Sequence, residues 1–315
     1  MQDTFGRTIT YLRLSVTDQC NLRCRYCMPC GVNKQTGPQM LTDEEMIQAV
    51  SVAASLGVTK VRVTGGEPLL KKNICAICSQ IAKIEGIGEV SMTTNGILLP
   101  EYAKDLVLSG VSRINISLDT LDEDKYRYMT GGELNDALKG IDAALSAGFI
   151  RVKINAVLIG GFNDGEIRDL AGLTKTYPVD VRFIELMPMQ CSEKFDPGAY
   201  LSCDAVMEAL KTELVPVDDD GVAKRYRYGD GQGFIGLIRP VTDNFCSACN
   251  RLRLTADGKI KPCLHDNQEI SIKGMDREEM REAFIKAASL KPEWHGPLSP
   301  CFISGAKRGM CRIGG

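Results

Sequence analysis

Six strand-like stretches alternate with helix-like ones along the first part of the chain, and this alternation limits the fold more than any other feature. Strands are expected at Tyr11–Thr17, Lys60–Thr64, Glu89–Thr94, Arg113–Leu118, Val152–Leu158 and Val179–Ile184. The helices between them carry end signals. Thr42 and Glu45 form a capping box for a helix that runs to Leu56 and stops at Gly57, and a second helix covers Glu133 to Ala147 and stops at Gly148. Such alternation requires a parallel sheet with right-handed crossovers. Six units are too few to close an eight-stranded barrel, so the expected class is α/β with an open, partial (βα)6 barrel.

The strands break a rule for parallel sheets. Strands covered on both faces should read as nearly continuous apolar runs, whereas these alternate. Arg13, Ser15 and Thr17 share one face, and Leu12, Leu14 and Val16 share the other. The same holds for Lys60, Arg62 and Thr64, for Arg113, Asn115, Ser117 and Asp119, and for Arg151, Lys153 and Asn155. A single cation would sit best on a solvated edge. Several strands in succession instead direct their polar faces into one lumen, because side chains alternate with period two. A ligand with several negative charges, such as a polyphosphate, suits that lumen.

Composition narrows the partners. Lys and Arg number 38 against 40 Asp and Glu, so a formal charge of −2 exerts no global pull on nucleic acid. No apolar run approaches the eighteen or so residues of a membrane span. The two histidines, His265 and His295, supply little imidazole chemistry. Beyond Ile184 the pattern changes: Pro188 to Tyr200 reads as loop, a helix follows near Cys203–Lys211, and Asp218–Asp220 forms an acidic run. A boundary near residue 225 divides the chain into 1–225 and 226–315.

Thirteen cysteines follow an N-terminus without an apolar leader, which points to a reducing cytoplasm and metal chemistry rather than disulfides. Cys20, Cys24 and Cys27 can hold three corners of an iron–sulfur cube and leave one iron open. Structural zinc needs a fourth ligand, which Cys30 could supply, but the segment follows a strand that begins a βα series and has no ribbon-like partner pair. Cys246, Cys249 and Cys263 form a second open triad, for which zinc with His265 or Cys301 is a competitor. Between its members, Arg251 and Arg253 alternate with Leu252 and Leu254. Cys75 and Cys78 lie in the helical pattern Lys72 to Ile84 and read as small buried apolar residues. Cys191, Cys203, Cys301 and Cys311 receive no role, and Trp294 reads as packing.

The run Cys20-x3-Cys24-x2-Cys27-Met28-Pro29, with Tyr26 before the last cysteine, and Thr64-Gly65-Gly66-Glu67-Pro68 resemble the radical S-adenosylmethionine superfamily. With Thr93-Thr94-Asn95-Gly96, Arg182-Phe183-Ile184-Glu185, Asn250-Arg251-Leu252-Arg253 and Gly314-Gly315, the chain resembles the GTP 3′,8-cyclase family over essentially its whole length. The resemblance implies a TIM-like partial barrel with a smaller C-terminal cluster-binding domain, two 4Fe-4S clusters, and S-adenosylmethionine. It places the first cluster on Cys20, Cys24 and Cys27 and the substrate cluster on Cys246, Cys249 and Cys263. Tyr26, Gly66, Ser117 and Met187 fall where that family touches S-adenosylmethionine. Arg13, Arg62, Thr93, Lys153, Arg251, Leu252 and Arg253 fall where it holds GTP, with Lys60 and Arg182 beside them, and Gly314-Gly315 would reach into the active site. Implied partners are an electron donor such as flavodoxin or ferredoxin and a downstream cyclic pyranopterin monophosphate synthase; a homodimer is left open. The runner-up is a peptide-modifying radical enzyme with auxiliary clusters, which would carry more cysteines. A zinc protein binding nucleic acid through Arg251 and Arg253 is disfavoured by the acidic balance.

Overall fold

The computed structural model describes residues 1–28, 40–189, 197–219, 221–299 and 304–314. Pro29, Cys30, Cys191, Cys301 and Gly315 therefore lie outside the described residues, as does Asp220 of the acidic run. In chain order the strands are β1 (Tyr11–Ser15), β2 (Lys60–Thr64), β3 (Glu89–Thr94), β4 (Val111–Ser117), β5 (Arg151–Leu158), β6 (Val179–Glu185), β7 (Leu214–Val217), β8 (Lys224–Tyr228), β9 (Phe234–Ile238), β10 (Arg251–Leu254), β11 (Lys259–Lys261) and β12 (Ile270–Ser271). The helices are α1 (Asp43–Ser55), α2 (Ile74–Ala82), α3 (Leu99–Leu108), α4 (Glu123–Thr130), α5 (Leu134–Ala147), α6 (Ile167–Thr176), α7 (Asp204–Leu210) and α8 (Arg277–Ser289).

Among the described residues the twelve strands form one open sheet in the order β12-β11-β10-β1-β2-β3-β4-β5-β6-β9-β8-β7. The six expected strands are its centre, paired in parallel from β1 to β6. Six more extend both edges. β10 joins β1 in parallel, and β9 joins β6 in parallel. The sheet runs unbroken through residue 225, which lies in β8.

Leu12, Leu14, Val61, Val63, Met92, Ile114, Ile116, Ile154 and Phe183 occupy the face that the helices cover and belong to one continuous core. Each such side chain contributes about 1.5–3 kcal/mol by leaving water. Helix ends follow the signals in the sequence. Thr42 and Glu45 exchange the two capping-box hydrogen bonds at α1, and Gly148 closes α5 with φ of 90°. Cys78 is buried in the core and Cys75 packs against it, as expected of small apolar residues. Trp294 departs from expectation: it is 50% exposed on the loop after α8, where the neighbouring His295 ring meets its own. Among the described residues no helix is long and apolar enough to cross a membrane.

Candidate active site

The strand register assembles the polar faces into layers. One layer joins Arg253, Arg13, Arg62 and Ser91; the next joins Thr93, Asn115, Lys153 and Asp180; a third joins Ser117, Asn155 and Arg182. Polar atoms in this lumen are buried without a hydrogen-bond partner among the described residues: Arg62 Nε, Thr93 Oγ1, Asn115 Oδ1 and Asn155 Oδ1. Buried polar groups normally find partners, so this set fits a polar ligand that offers acceptors to Arg62 Nε and donors to the two amide oxygens. Not every inward cation faces it freely. Arg113 pairs with Glu89 at 3.1 Å and Arg151 with Asp180 at 3.1 Å, while Lys60 is exposed at the start of β2. Asp180, a lumen carboxylate 4.0 Å from Lys153 Nζ, was not singled out in the sequence.

The first cysteine triad follows the C-terminal end of β1. Its loop is tied down by the Gly65-Gly66-Glu67 segment after β2: Gly66 N–H donates to Thr17 O at 2.8 Å and Glu67 N–H to Gln19 O at 2.7 Å. A Cβ on Gly65 would stand 2.7 Å from Thr17 O, and one on Gly66 would collide with Gln19 O. These glycines are required by the closeness of two backbones. Glu67 is buried and accepts from Leu69 N at 3.0 Å, Thr94 Oγ1 at 2.7 Å and Asn95 N at 2.8 Å. Burial still pushes its carboxyl up to about 7. Asn95 donates in turn to Asn21 Oδ1 at 2.7 Å, which joins the Thr-Thr-Asn-Gly turn to the cysteine loop. Tyr26 donates to Asp119 Oδ2 at 2.9 Å, and burial raises Asp119 to about 6. Burial also raises the Cys20 and Cys24 thiols, and Asp119 adds to the effect at Cys24.

The second triad lies at the other end of the lumen. Because β10 runs parallel to β1, with Tyr11 opposite Arg251 and Arg13 opposite Arg253, Cys246 and Cys249 precede the level of Tyr11. β11 is antiparallel, with Arg253 opposite Lys261, and returns Cys263 to that same end. Six steps from Tyr11 to Thr17, at about 3.3 Å each, separate the two ends by roughly 20 Å. Cations surround this triad. Arg7 donates to Cys246 O at 2.7 Å, and buried Lys291 donates to Arg251 O and to Pro262 O, both at 2.9 Å. Burial would raise the Cys249 thiol, yet the charges of Arg251 and then Lys291 pull it down to about 6. Arg253 is fully enclosed; burial, then the charge of Arg251, lowers it to about 10, so it remains a cation at neutral pH. His265, the zinc ligand considered from sequence, is held by Ser304 Oγ at 2.9 Å and driven down to about 3 by burial.

Among the described residues no three His, Cys, Asp or Glu side chains are grouped to hold a single metal ion. Three thiolates in each triad are the donor set of a cube with one iron left open. Leu252 is fully buried in the core, opposite in direction to its arginine neighbours, so only its main chain is available to a substrate. Sequence reading missed Lys291, which carries no local signal, and the role of Glu185. That carboxylate is buried and accepts from Cys203 N, Val241 N and Thr242 N at 3.2, 3.1 and 3.0 Å, which fixes the chain beyond β6. Gly314, with φ of 69°, sits against Thr64 Oγ1, and Arg253 Nη1 donates to its carbonyl at 2.7 Å and to that of Ile313 at 3.2 Å.

Known proteins resemble this chain in sequence and in fold. Residues 14–174 match the family model of the radical SAM superfamily, and residues 179–297 match that of Molybdenum Cofactor Synthesis C. The chain is 45% identical over 322 residues to the GTP 3′,8-cyclase of Alkaliphilus oremlandii, covering all of both chains. It belongs to the GTP 3′,8-cyclase family. The GTP 3′,8-cyclase of Moorella thermoacetica is 46% identical over 307 residues, covering 94% of this chain and 95% of the relative. Among solved structures, Streptococcus suis SuiB bound to precursor peptide SuiA superposes with a TM-score of 0.67 at 15% identity, covering 92% of this chain and 67% of SuiB. The AdoMet-bound anSMEcpe gives 0.62 at 14%, covering 91% and 82%. These two likenesses concern the fold, a TIM-like partial barrel.

Proposed function

We propose that the chain is a lyase that converts GTP to (8S)-3′,8-cyclo-7,8-dihydroguanosine 5′-triphosphate with S-adenosylmethionine as co-substrate, the first step of molybdenum cofactor biosynthesis. The observation that carries this reading is the parallel pairing of β10 with β1, which sets a cationic second triad across a basic lumen from the first. Family membership over the whole length supports it.

In this reading Cys20, Cys24 and Cys27 hold one 4Fe-4S cluster and Cys246, Cys249 and Cys263 hold another, carried by the 226–315 part. When bound, the first supplies the electron that cleaves S-adenosylmethionine and the second an open iron for the guanine base. The protein's own part is orientation. Arg13, Arg62 and Lys153 neutralise the triphosphate, and Thr93 Oγ1 and Arg62 Nε supply unused polar atoms to it. Arg251 and Arg253 direct the base toward the second triad, and the C-terminal segment fixes Arg253 through two carbonyls. Tyr26, Gly66, Ser117 and Met187 line the opposite end, where S-adenosylmethionine is proposed to sit. Arg182 stands beside Asn155 in that end's layer. Lys60, exposed at the mouth, serves capture of GTP rather than its final seating. A flavodoxin or ferredoxin would supply the electron, and cyclic pyranopterin monophosphate synthase would take the product, in the cytoplasm.

The test is anaerobic turnover with GTP deuterated at the ribose 3′ position, S-adenosylmethionine and a low-potential reductant. Deuterium in the released 5′-deoxyadenosine and an isomer of GTP as product are expected. Unlabelled 5′-deoxyadenosine with unchanged GTP would overturn the reading. Arg251→Ala with Arg253→Ala should weaken GTP binding and leave S-adenosylmethionine binding intact.

A further inference from the structure

The polar face of the sheet continues past the lumen residues described so far. Arg182 on β6 stands opposite Gly236 on β9, which stands opposite Arg225 on β8. Two residues along β8, Arg227 stands opposite Phe234. Residues paired across strands share a face. Arg225 and Arg227 therefore lie on the side of the sheet that carries Lys153, Asp180 and Arg182. Arg227 is exposed and Arg225 half-buried.

Phe234 gathers these cations. The guanidinium carbons of Arg225, Arg227 and Arg151 stand 4.0, 5.3 and 5.8 Å from its ring centroid. Asp180 fixes the ring from β6. Its Oδ1 accepts from Phe234 N–H at 3.2 Å and from Arg151 Nη1 at 3.1 Å, and its Oδ2 lies 4.0 Å from Lys153 Nζ. That carboxylate is thus engaged by Arg151 and Lys153. Arg225 Nη1 donates to Asp218 O at 3.4 Å, and its main-chain N–H to Asp219 Oδ1 at 3.4 Å. Among the described residues neither the Arg225 nor the Arg227 guanidinium pairs with a carboxylate. Like charges this close repel, and an aromatic ring offsets only part of that where the cations stay wet.

Gly236 connects this cluster to the lumen. A Cβ there would stand 3.1 Å from Arg182 Cγ and 3.3 Å from Ala223 Cβ. Any side chain would fill the step between Arg182 and Arg225, where glycine leaves only backbone. We propose that Arg225 and Arg227 form an outer phosphate site, which holds the triphosphate of incoming GTP before it passes over Gly236 to Arg182 and Lys153. This rests on the reading of the lumen as the GTP site. Two guanidinium groups suit a polyphosphate, and no bond is made or broken here. The base takes no part, so the outer site attracts any nucleoside triphosphate and leaves selection to the lumen. A surface lined by one sign of charge speeds encounter more than it tightens the final complex.

The test is stopped-flow association of GTP carrying a fluorophore on its ribose 2′ oxygen with the full, anaerobically reconstituted chain, over a range of salt concentrations. Arg225→Ala with Arg227→Ala should lower the association rate constant about tenfold at low salt and flatten its salt dependence, with dissociation unchanged. Arg227→Lys, which keeps the charge, should retain most of the parent's rate. Inorganic triphosphate should slow association in the parent more than in the double variant. If the double variant does not fold, Arg227→Gln alone carries the test, through a smaller drop in the same constant. Association as fast as the parent's in the folded double variant, or in Arg227→Gln, overturns the proposal. Faster dissociation with unchanged association also overturns it, because these arginines would then belong to the final seat of GTP. A parent chain that binds no GTP overturns the functional reading instead.

Discussion

The two cysteine triads use the same donor set in opposite electrostatic surroundings. The first lies among carboxylates, Glu67 and Asp119, both raised by burial, and is positioned by backbone contacts that glycines permit. The second lies among cations: Arg251 and Lys291 lower Cys249, and Arg7 donates to Cys246 O. The difference suits the charge of what each end would receive. A sulfonium cation is favoured beside carboxylates, and a nucleoside triphosphate beside guanidinium groups. In the proposed reading thiolate spacing provides two open sites, and their surroundings decide which ligand goes to which.

The largest effect should come from deleting one ligand at a time. Cys24→Ala and Cys263→Ala should each lower iron from about eight to about four per chain, read by metal analysis after anaerobic reconstitution. Only the first should abolish S-adenosylmethionine cleavage. Equal loss of cleavage in both would erase the contrast between the ends. Next, Lys291→Met leaves the carbonyls of Arg251 and Pro262 without their donor. A stability loss of about 2–4 kcal/mol is expected in urea titration, with iron lost from the second centre and retained at the first. Gly66→Ala should do the converse. Overpacking against Gln19 costs about 1–3 kcal/mol and should loosen the first centre alone. The smallest contrast is within the lumen. Arg62→Ala should weaken GTP binding about tenfold, or about 1.4 kcal/mol, by calorimetry. Arg113→Ala, whose guanidinium is engaged by Glu89, should change neither GTP affinity nor stability beyond about 0.5 kcal/mol.

Much of the centre of the fold was legible because its signals are local. β2 and β3 begin and end where the alternation does, and α1 starts at its capping box. The polar faces of Arg13, Arg62, Asn115 and Lys153 announced a lumen before any register was known. The edges were less legible. β8, Lys-Arg-Tyr-Arg-Tyr, is short and buries only its tyrosine face, and α4, Glu123–Thr130, offers no apolar stripe of useful length. The pairing of Tyr11 with Arg251 spans 240 residues of sequence and leaves no trace in either strand alone. For the same reason Lys291 and Asp180 carry no signal where they stand. Their roles arise from neighbours that folding brings to them.

The most direct test of the contrast between the two ends is electron paramagnetic resonance of the reduced, anaerobically reconstituted chain, recorded alone and with each ligand added separately. Two cluster signals are expected, with S-adenosylmethionine changing one and GTP changing the other. A single responsive signal shared by both ligands, or two signals that neither ligand alters, would contradict the assignment of an open iron to each end of the lumen.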